Sequence, residues 1–402
     1  MSNTRKITFS PPDITQEEID EVVDTLRSGW ITTGPKTKLF EKQLAEYCNT
    51  STVCCLSSAT AALELCLILL GIGPGDEVIT SAYTYTASCS PIIHVGATPV
   101  LVDVAPGSFH IDYEKIGKAI TSRTKAVIPV DIGGVMCDYD TLYQVLEDYK
   151  SKYSPNNEIQ ALFDRVIVIS DAAHSIGATY KGKMSGQLGD FTAFSFHAVK
   201  NLTTAEGGAL TWIDREGLDN DKLYQEVQLL SLHGQNKDAL SKTQLGAWEY
   251  DVVGPYYKCN MTDIMASLGL VQLKRYPEIL KRRRQIIEMY NEGLKDLSVT
   301  SLIHYTDIYE SSGHLYLMRI NEYTEQQRNE FILKMAEAGI ATNVHYKPLP
   351  MHTAYKKLGF KIEDFPNTYK QFENEVTLPL HTCLSDEDIS YLLQTIRALL
   401  SR

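Results

Sequence analysis

Phe194-Ser-Phe-His-Ala-Val-Lys-Asn-Leu-Thr-Thr-Ala-Glu-Gly-Gly208, read with Asp171-Ala-Ala-His174 upstream, decides the fold. The apolar run Arg165-Val-Ile-Val-Ile-Ser170 reads as a buried strand and delivers Asp171 at its carboxyl end. A second run, Phe191 to Phe196, delivers Lys200 shortly after its own end, and the paired Gly207 and Gly208 permit tight backbone geometry there. In open α/β sheets ligands gather at the carboxyl ends of strands, so Asp171 and Lys200 are candidates for one site.

Outward from this stretch the chain alternates strand-like and helix-like segments. Further apolar runs lie at Thr52 to Leu56, Glu77 to Thr80, Thr98 to Val104, Lys125 to Val130 and Ala209 to Ile213. Such alternation predicts an α/β fold with a mostly parallel sheet covered by helices on both faces. Ahead of it, Thr15 and Glu18 form a capping box for a helix over 15–28 carrying Ile19, Val22, Val23 and Leu26, with Gly29 as the stop. The connection 138–163 reads as a surface excursion. After Asn260 a long helical stretch is expected to kink or break at Pro277, with Lys281-Arg-Arg-Arg284 on a solvated face. The predicted domains are 1–293, a large cofactor-binding domain with an N-terminal arm, and 294–402, a small C-terminal α+β domain.

The 402 residues carry a net charge of −12, which argues against a general attraction to nucleic acid or an anionic membrane surface. The amino-terminal residues lack a signal-peptide core and no run of about 18 apolar residues occurs, so a cytoplasmic protein is expected. The eight cysteines have no metal-site spacing and read as buried reduced thiols, so no metal is expected.

Asp171 and Lys200 make chemical sense together if the ligand is pyridoxal phosphate (PLP), held as a lysine Schiff base with a carboxylate on its pyridine nitrogen. Asp171 also fits a plain cap for the following turn, and His174 fits either a cofactor contact or a structural histidine. Ser57-Ser-Ala-Thr-Ala-Ala62 lies between strand and helix, where free amides and the helix dipole suit a phosphate, although Ser and Thr also cap helices. Ser195 is a further hydroxyl for that phosphate. In Ser81-Ala-Tyr-Thr-Tyr-Thr86, Tyr85 is the candidate to stack on the ring.

Taken in order, Gly29-Trp-Ile-Thr-Thr-Gly-Pro35, Ser57-Ser-Ala-Thr-Ala61, Gly75-Asp-Glu-Val-Ile79, Gly96-Ala-Thr-Pro99, Asp171-Ala-Ala-His174, Ser195-Phe-His197 with Lys200, Glu206-Gly-Gly208 and Tyr257-Lys-Cys-Asn-Met-Thr-Asp263 resemble the DegT/DnrJ/EryC1/StrS family of PLP-dependent nucleotide-sugar aminotransferases. The resemblance implies an aspartate-aminotransferase-like fold (PLP fold type I) and a homodimer with shared active sites. It implies that Lys200 bonds to PLP, that Asp171 pairs with the pyridine nitrogen, and that Tyr85 stacks on the ring with His174 beside it. Thr60, Ala61 and Ser195 would hold the phosphate, joined by Asn260 from the partner subunit. Trp30, Lys258, His314, His345 and Tyr346 fall in segments near the sugar nucleotide. The implied reaction moves nitrogen from an amino-acid donor, usually glutamate, to a keto sugar on a nucleotide. The segments 28–36, 194–208 and 256–263 most resemble enzymes acting at C4 of a UDP-linked sugar in surface-glycan synthesis. A C3 aminotransferase on a dTDP sugar and a PLP-binding regulator are the alternatives, while Lys200 disfavours the dehydratase variant, which has histidine there. Val130-Asp-Ile-Gly-Gly134 and the long 138–163 connection depart from the family pattern and are expected to bear on sugar recognition.

Overall fold

A computed structural model describes residues 5–236 and 249–401, so Met1–Thr4, part of the stretch read for a signal peptide and arm, lie outside the described residues. The chain begins with helices α1 (Gln16–Ser28) and α2 (Pro35–Cys48), then alternates β1 (Val53–Leu56), α3 (Ala59–Leu69), β2 (Glu77–Ser81), α4 (Ser90–His94), β3 (Thr98–Val102), α5 (Tyr113–Ala119) and β4 (Thr124–Ile128). Helices α6 (Tyr139–Asp148) and α7 (Glu158–Ala161) lead to β5 (Ile167–Asp171), a short hairpin of β6 (Thr179–Tyr180) and β7 (Lys183–Met184), then β8 (Phe191–Ser195), β9 (Gly208–Trp212) and α8 (Asn220–Ser231). The remainder comprises α9 (Asp263–Leu294), β10 (Val299–Ser301), β11 (Tyr309–Glu310), β12 (Tyr316–Ile320), α10 (Glu325–Glu337), α11 (Thr353–Lys357), α12 (Pro366–Phe372), β13 (Glu375–Leu378) and α13 (Asp386–Leu400).

Among the described residues the central sheet has seven strands in the order β1-β9-β8-β5-β4-β2-β3. Strand β9 is antiparallel to both its neighbours, and the remaining pairs are parallel. Strands β1, β2, β4, β5, β8 and β9 are buried along their whole length, which is why they read as continuous apolar runs rather than alternating ones. On one face Leu56, Ile167 and Ile169 pack on α3 and α8 through Leu63, Leu67 and Val227. On the other, Val127 and Val168 meet Ile116 and Leu142 of α5 and α6, while Phe194 meets Phe40 of α2 and Leu273 of α9. A second core gathers around β10, β12 and β13, with Ile7 of the amino-terminal arm and Ile286, Ile287 and Tyr290 of α9.

Several details differ from the sequence reading. The capping box of α1 is present, yet Ile19 and Leu26 are 48% and 53% exposed while Glu18 is buried against Gln272 of α9. Helix α9 runs unbroken through Pro277 for 32 residues. Buried Leu273, Tyr276 and Ile279 hold it on the sheet, and Tyr276 Oη donates to the Ile176 carbonyl at 2.8 Å, so tertiary packing outweighs the cost of Pro277 within the helix. Arg283 is buried rather than solvated, with Nη1 donating to the carbonyls of Gly313 (3.0 Å) and Leu380 (2.9 Å). The 138–163 connection is not a loose excursion. It buries Tyr139, Leu142 and Leu146, and Asn157 Nδ2 and Gln160 Nε2 donate to the Leu70 carbonyl at 2.9 and 2.8 Å, satisfying the end of α3. Six cysteines are buried as expected, but Cys259 is half-buried and Cys383 exposed. No helix among the described residues is long and apolar enough to cross a membrane.

Two motifs far apart in sequence form one contact. The Asp263 carboxylate, at the first turn of α9, accepts the amides of Gly34 (2.8 Å), Lys36 (3.0 Å) and Thr37 (2.9 Å) and the Thr37 hydroxyl (2.7 Å). Glycine at position 34 offers no side-chain cap for α2, so the cap is supplied from α9 instead.

Candidate active site

At the carboxyl ends of β5 and β8 lies a cleft of about 320 Å³ lined by Ser58, Thr60, Tyr85, Ser88, Asp171, His174, Ser195, Lys200, Glu206, Gly207, His345 and Tyr346, among others. Six of the eight predicted site residues, Thr60, Tyr85, Asp171, His174, Ser195 and Lys200, therefore share one cavity. Ala61 and Asn260 do not line it. The Ala61 amide is taken by Ser58 Oγ at 3.0 Å as the cap of α3, whereas the amides of Ala59 and Thr60, in the cleft wall, have no acceptor recorded among the described residues. Asn260 pairs with Leu56 as an isolated bridge, and its side-chain amide bonds to Thr33 and Lys258.

The strand arrangement explains the cleft. Residues β5 and β8 are parallel neighbours with Asp171 opposite Ala193, so their ends open on the same edge of the sheet. Strand β9 returns antiparallel with Gly208 opposite Ser195, which brings the Gly207–Gly208 pair back to that edge. A Cβ on Gly208 would lie 2.2 Å from the Ser58 carbonyl carbon and 2.4 Å from the Ala59 nitrogen. Only glycine lets β9 begin against the amino end of α3.

Asp171 is buried and holds two roles at once. Its Oδ1 accepts the Ala173 amide at 3.2 Å, the turn cap read from sequence, while Oδ2 accepts the Ser88 hydroxyl at 2.6 Å. With Ser88 donating to Asp171, the Thr84 hydroxyl, 2.7 Å from Ser88 Oγ, donates to Ser88. Sequence reasoning missed Ser88, because an isolated serine 83 residues away carries no local signal. Burial raises the Asp171 pKa, opposed first by the Ser88 hydrogen bond and less by Lys200. Burial likewise lowers Lys200 to about 8 against the pull of Asp171. For both groups desolvation exceeds their mutual attraction, so the amine is freed near pH 8 rather than above 10, and the buried carboxylate would gain from a further cation.

His174 Nδ1 accepts the Gly133 amide at 3.2 Å, which places the ring proton on Nε2, 3.0 Å from Tyr346 Oη. Burial, with Lys200 and His345 adding, pushes the ring well below the usual histidine range, so it is neutral. His314 packs against it with ring centroids 4.3 Å apart, its Nδ1 2.9 Å from Asn201 Oδ1. Tyr85 leaves 59% of its surface exposed at the cleft, and Tyr83 is buried with its hydroxyl donating to the His345 carbonyl at 2.7 Å. Asp131, in the Val130–Gly134 segment expected to bear on sugar recognition, does not line the cleft: its carboxylate accepts the Cys137 amide at 2.9 Å and the Ser175 hydroxyl at 2.7 Å.

The donor set fits PLP. A lysine whose amine is freed near pH 8 suits an aldehyde, a buried carboxylate suits a protonated pyridine nitrogen, and free amides at the start of α3 suit a phosphate.

Comparison with known proteins points the same way. The sequence model of the DegT/DnrJ/EryC1/StrS aminotransferase family matches residues 12–397. The spore coat polysaccharide biosynthesis protein SpsC of Bacillus subtilis (strain 168) is 40% identical over 395 residues, spanning 97% of this chain and 96% of that protein. Spr1654 of Streptococcus pneumoniae, assigned as a sugar aminotransferase, superposes in its PLP form with a TM-score of 0.95 at 54% identity, covering 99% of each chain. Helicobacter pylori PseC, an aminotransferase of pseudoaminic acid biosynthesis, superposes with a TM-score of 0.86 at 25% identity, covering 99% of this chain and 100% of that one.

Proposed function

The chain belongs to the DegT/DnrJ/EryC1/StrS aminotransferase family, and from that premise we propose that it transfers an amino group from glutamate to the C4 ketone of a UDP-linked keto sugar destined for a surface polysaccharide. It is a PLP-dependent aminotransferase with the α/β architecture of PLP fold type I. The placement of Lys200 and Asp171 in one cleft, at the ends of parallel neighbouring strands, carries the chemical half of the reading. The sugar half is supported by SpsC and PseC, relatives named for glycan work.

When bound, PLP withdraws the electrons left as a substrate C–H bond breaks. Lys200 holds its aldehyde and then, as a free amine, moves the proton at the substrate carbon through its Nζ. Asp171, fixed by Ser88 and Ala173, would keep the pyridine nitrogen protonated. Tyr85 would stack on the ring, with neutral His174 beside it. The amides of Ala59 and Thr60 and the hydroxyls of Thr60 and Ser195 would hold the phosphate. In the proposed homodimer Asn260, which does not line its own cleft, would reach the site of the second subunit, and the exposed Ile19 and Leu26 of α1 would belong to the surface that subunit covers.

The test is to supply the PLP-loaded protein with glutamate and either a UDP-4-keto sugar or a dTDP-3-keto sugar, and to follow 2-oxoglutarate and amino sugar together. Amination of the UDP sugar at C4 is expected. Amination confined to C3 of the dTDP sugar would overturn the assignment of the acceptor, and no amino sugar from either would overturn the sugar reading.

A further inference from the structure

Behind the cleft wall at His345, hydrogen bonds run inward to a buried carboxyl group. His345 Nδ1 lies 2.9 Å from Thr377 Oγ1, Thr377 Oγ1 lies 2.6 Å from Glu375 Oε1, and the His345 backbone N–H donates to Glu375 Oε2 at 2.9 Å. Glu375 and Thr377 sit on β13 with no exposed surface. His345 lines the cleft and stacks on Phe9 with centroids 5.5 Å apart. No group among the described residues is bonded to its Nε2, the one ring nitrogen left for the cleft.

Burial, with Lys200 adding, pushes His345 down to about 3, so the ring is neutral and the open question is which nitrogen bears the proton. The hydrogen bond at one nitrogen decides that. An ionised Glu375 can only accept, so Thr377 donates to it, Nδ1–H donates to Thr377, and Nε2 presents a lone pair to the cleft. A protonated Glu375 donates to Thr377, which then donates to Nδ1, and Nε2 carries the proton.

We propose that Thr377 and Glu375 are positioning residues that set the polarity of His345 toward the substrate, acceptor when Glu375 is ionised and donor when it is protonated. A lone pair at Nε2 suits a substrate ammonium or hydroxyl group; an N–H suits a carboxylate or ketone oxygen. The proton count closes. One proton enters at Nε2 from the cleft, the Nδ1 proton passes to Thr377 Oγ1, and the Thr377 proton passes to Glu375 Oε1. One proton is bound overall and the ring stays neutral throughout.

The surroundings put the change within reach of ordinary pH. Burial raises Glu375 to about 8, opposed first by Thr377, then by the His345 amide and by Arg328. The groups facing Glu375 are Arg328 of α10, which also meets Glu325, Arg319 opposite it on β12, Tyr83 beyond β2, and Tyr346 next to His345. Arg328 Nη1 donates to the carbonyls of Phe372 and Glu375, both at 3.0 Å, and Arg319 Nε to Asn374 Oδ1 at 2.8 Å, so neither guanidinium pairs directly with the Glu375 carboxyl.

The inference rests on the aminotransferase reading for its consequence, but the ring itself can be read separately. The experiment follows the His345 ring nitrogens by ¹⁵N NMR in the PLP-loaded, histidine-labelled enzyme across pH, assigned with His345→Asn, beside the pH profile of kcat/KM. In the wild type the proton is expected on Nε2 at low pH and on Nδ1 after Glu375 ionises. Glu375→Gln keeps an acceptor for the His345 amide and donates its NH₂ to Thr377, so it should lock the proton on Nε2 and erase the matching step in the profile. Thr377→Val should uncouple the ring from Glu375, while Thr377→Ser should behave as wild type. A ring proton that stays put in the wild type, or a Glu375→Gln enzyme that still switches, would overturn the proposal whatever the sugar substrate is.

Discussion

At the scale of the residue, Lys200 is the informative case. Burial brings its pKa to about 8, so the free amine is reached about two and a half pH units sooner than for an exposed lysine. The rate at which the cofactor-free protein captures PLP, followed by the visible absorption of the lysine-bound form, should rise with pH and level off above about 8. A rate still climbing at pH 10 would mean that the lysine is solvated. Lys200→Ala should lower turnover by at least roughly 10²-fold, the scale of a lost general acid–base. Lys200 and Asp171 were legible because each follows an apolar strand, and strand ends converge in this class of sheet. Ser88 was not, since its bond to Asp171 depends on where β2 and β5 lie in the sheet order. Nor does the small-residue motif reveal that Ser58 Oγ, in capping α3, accepts the Ala61 amide, one of the donors expected at the phosphate.

Among the elements, the clasp at Asp263 makes the sharpest claim. Asp263→Ala would leave the amides of Gly34, Lys36 and Thr37 without their acceptor, and the loss should be about 3 kcal/mol, measured as a lowered denaturant midpoint of the cofactor-free protein. A change under about 0.5 kcal/mol would show that α2 caps itself in some other way. Strands were well marked in the sequence because full burial leaves unbroken apolar runs. Helix α9 was marked less faithfully. Propensity weighs Pro277 and the Lys281–Arg284 charges locally, but the helix is fixed by what it packs against: the sheet through Tyr276 and the second core through Ile286 and Ile287. Arg283 stays buried because backbone carbonyls at Gly313 and Leu380 receive it, and those acceptors are set by chain folding about 30 and 97 residues away.

For the whole molecule, the exposed apolar stripe on α1 is the feature that a single chain does not explain. Ile19 and Leu26 follow helical spacing yet face solvent, and Ile14, Ile31 and Leu39 nearby are also more than 40% exposed. The proposed homodimer predicts that a double variant, Ile19→Glu with Leu26→Glu, sediments as a monomer where the wild type sediments as a dimer, and that it loses activity with the change. A fully active monomer would refute the shared site. The sequence pattern could identify this stripe but not its partner, because periodicity is the same whether the covering surface belongs to the same chain or another. The antiparallel return of β9 has a consequence for how such a chain can lengthen. Ser195 and Gly208 are locked in register across a turn that contains Lys200, so one added residue there would shift the amine against its own phosphate wall. Between β4 and β5 the opposite holds: the 138–163 connection is anchored at the far end of α3, about 16 Å along the helix axis from the cleft. A change of chain length is thus remote from the cleft at one end of these strands and falls within its wall at the other.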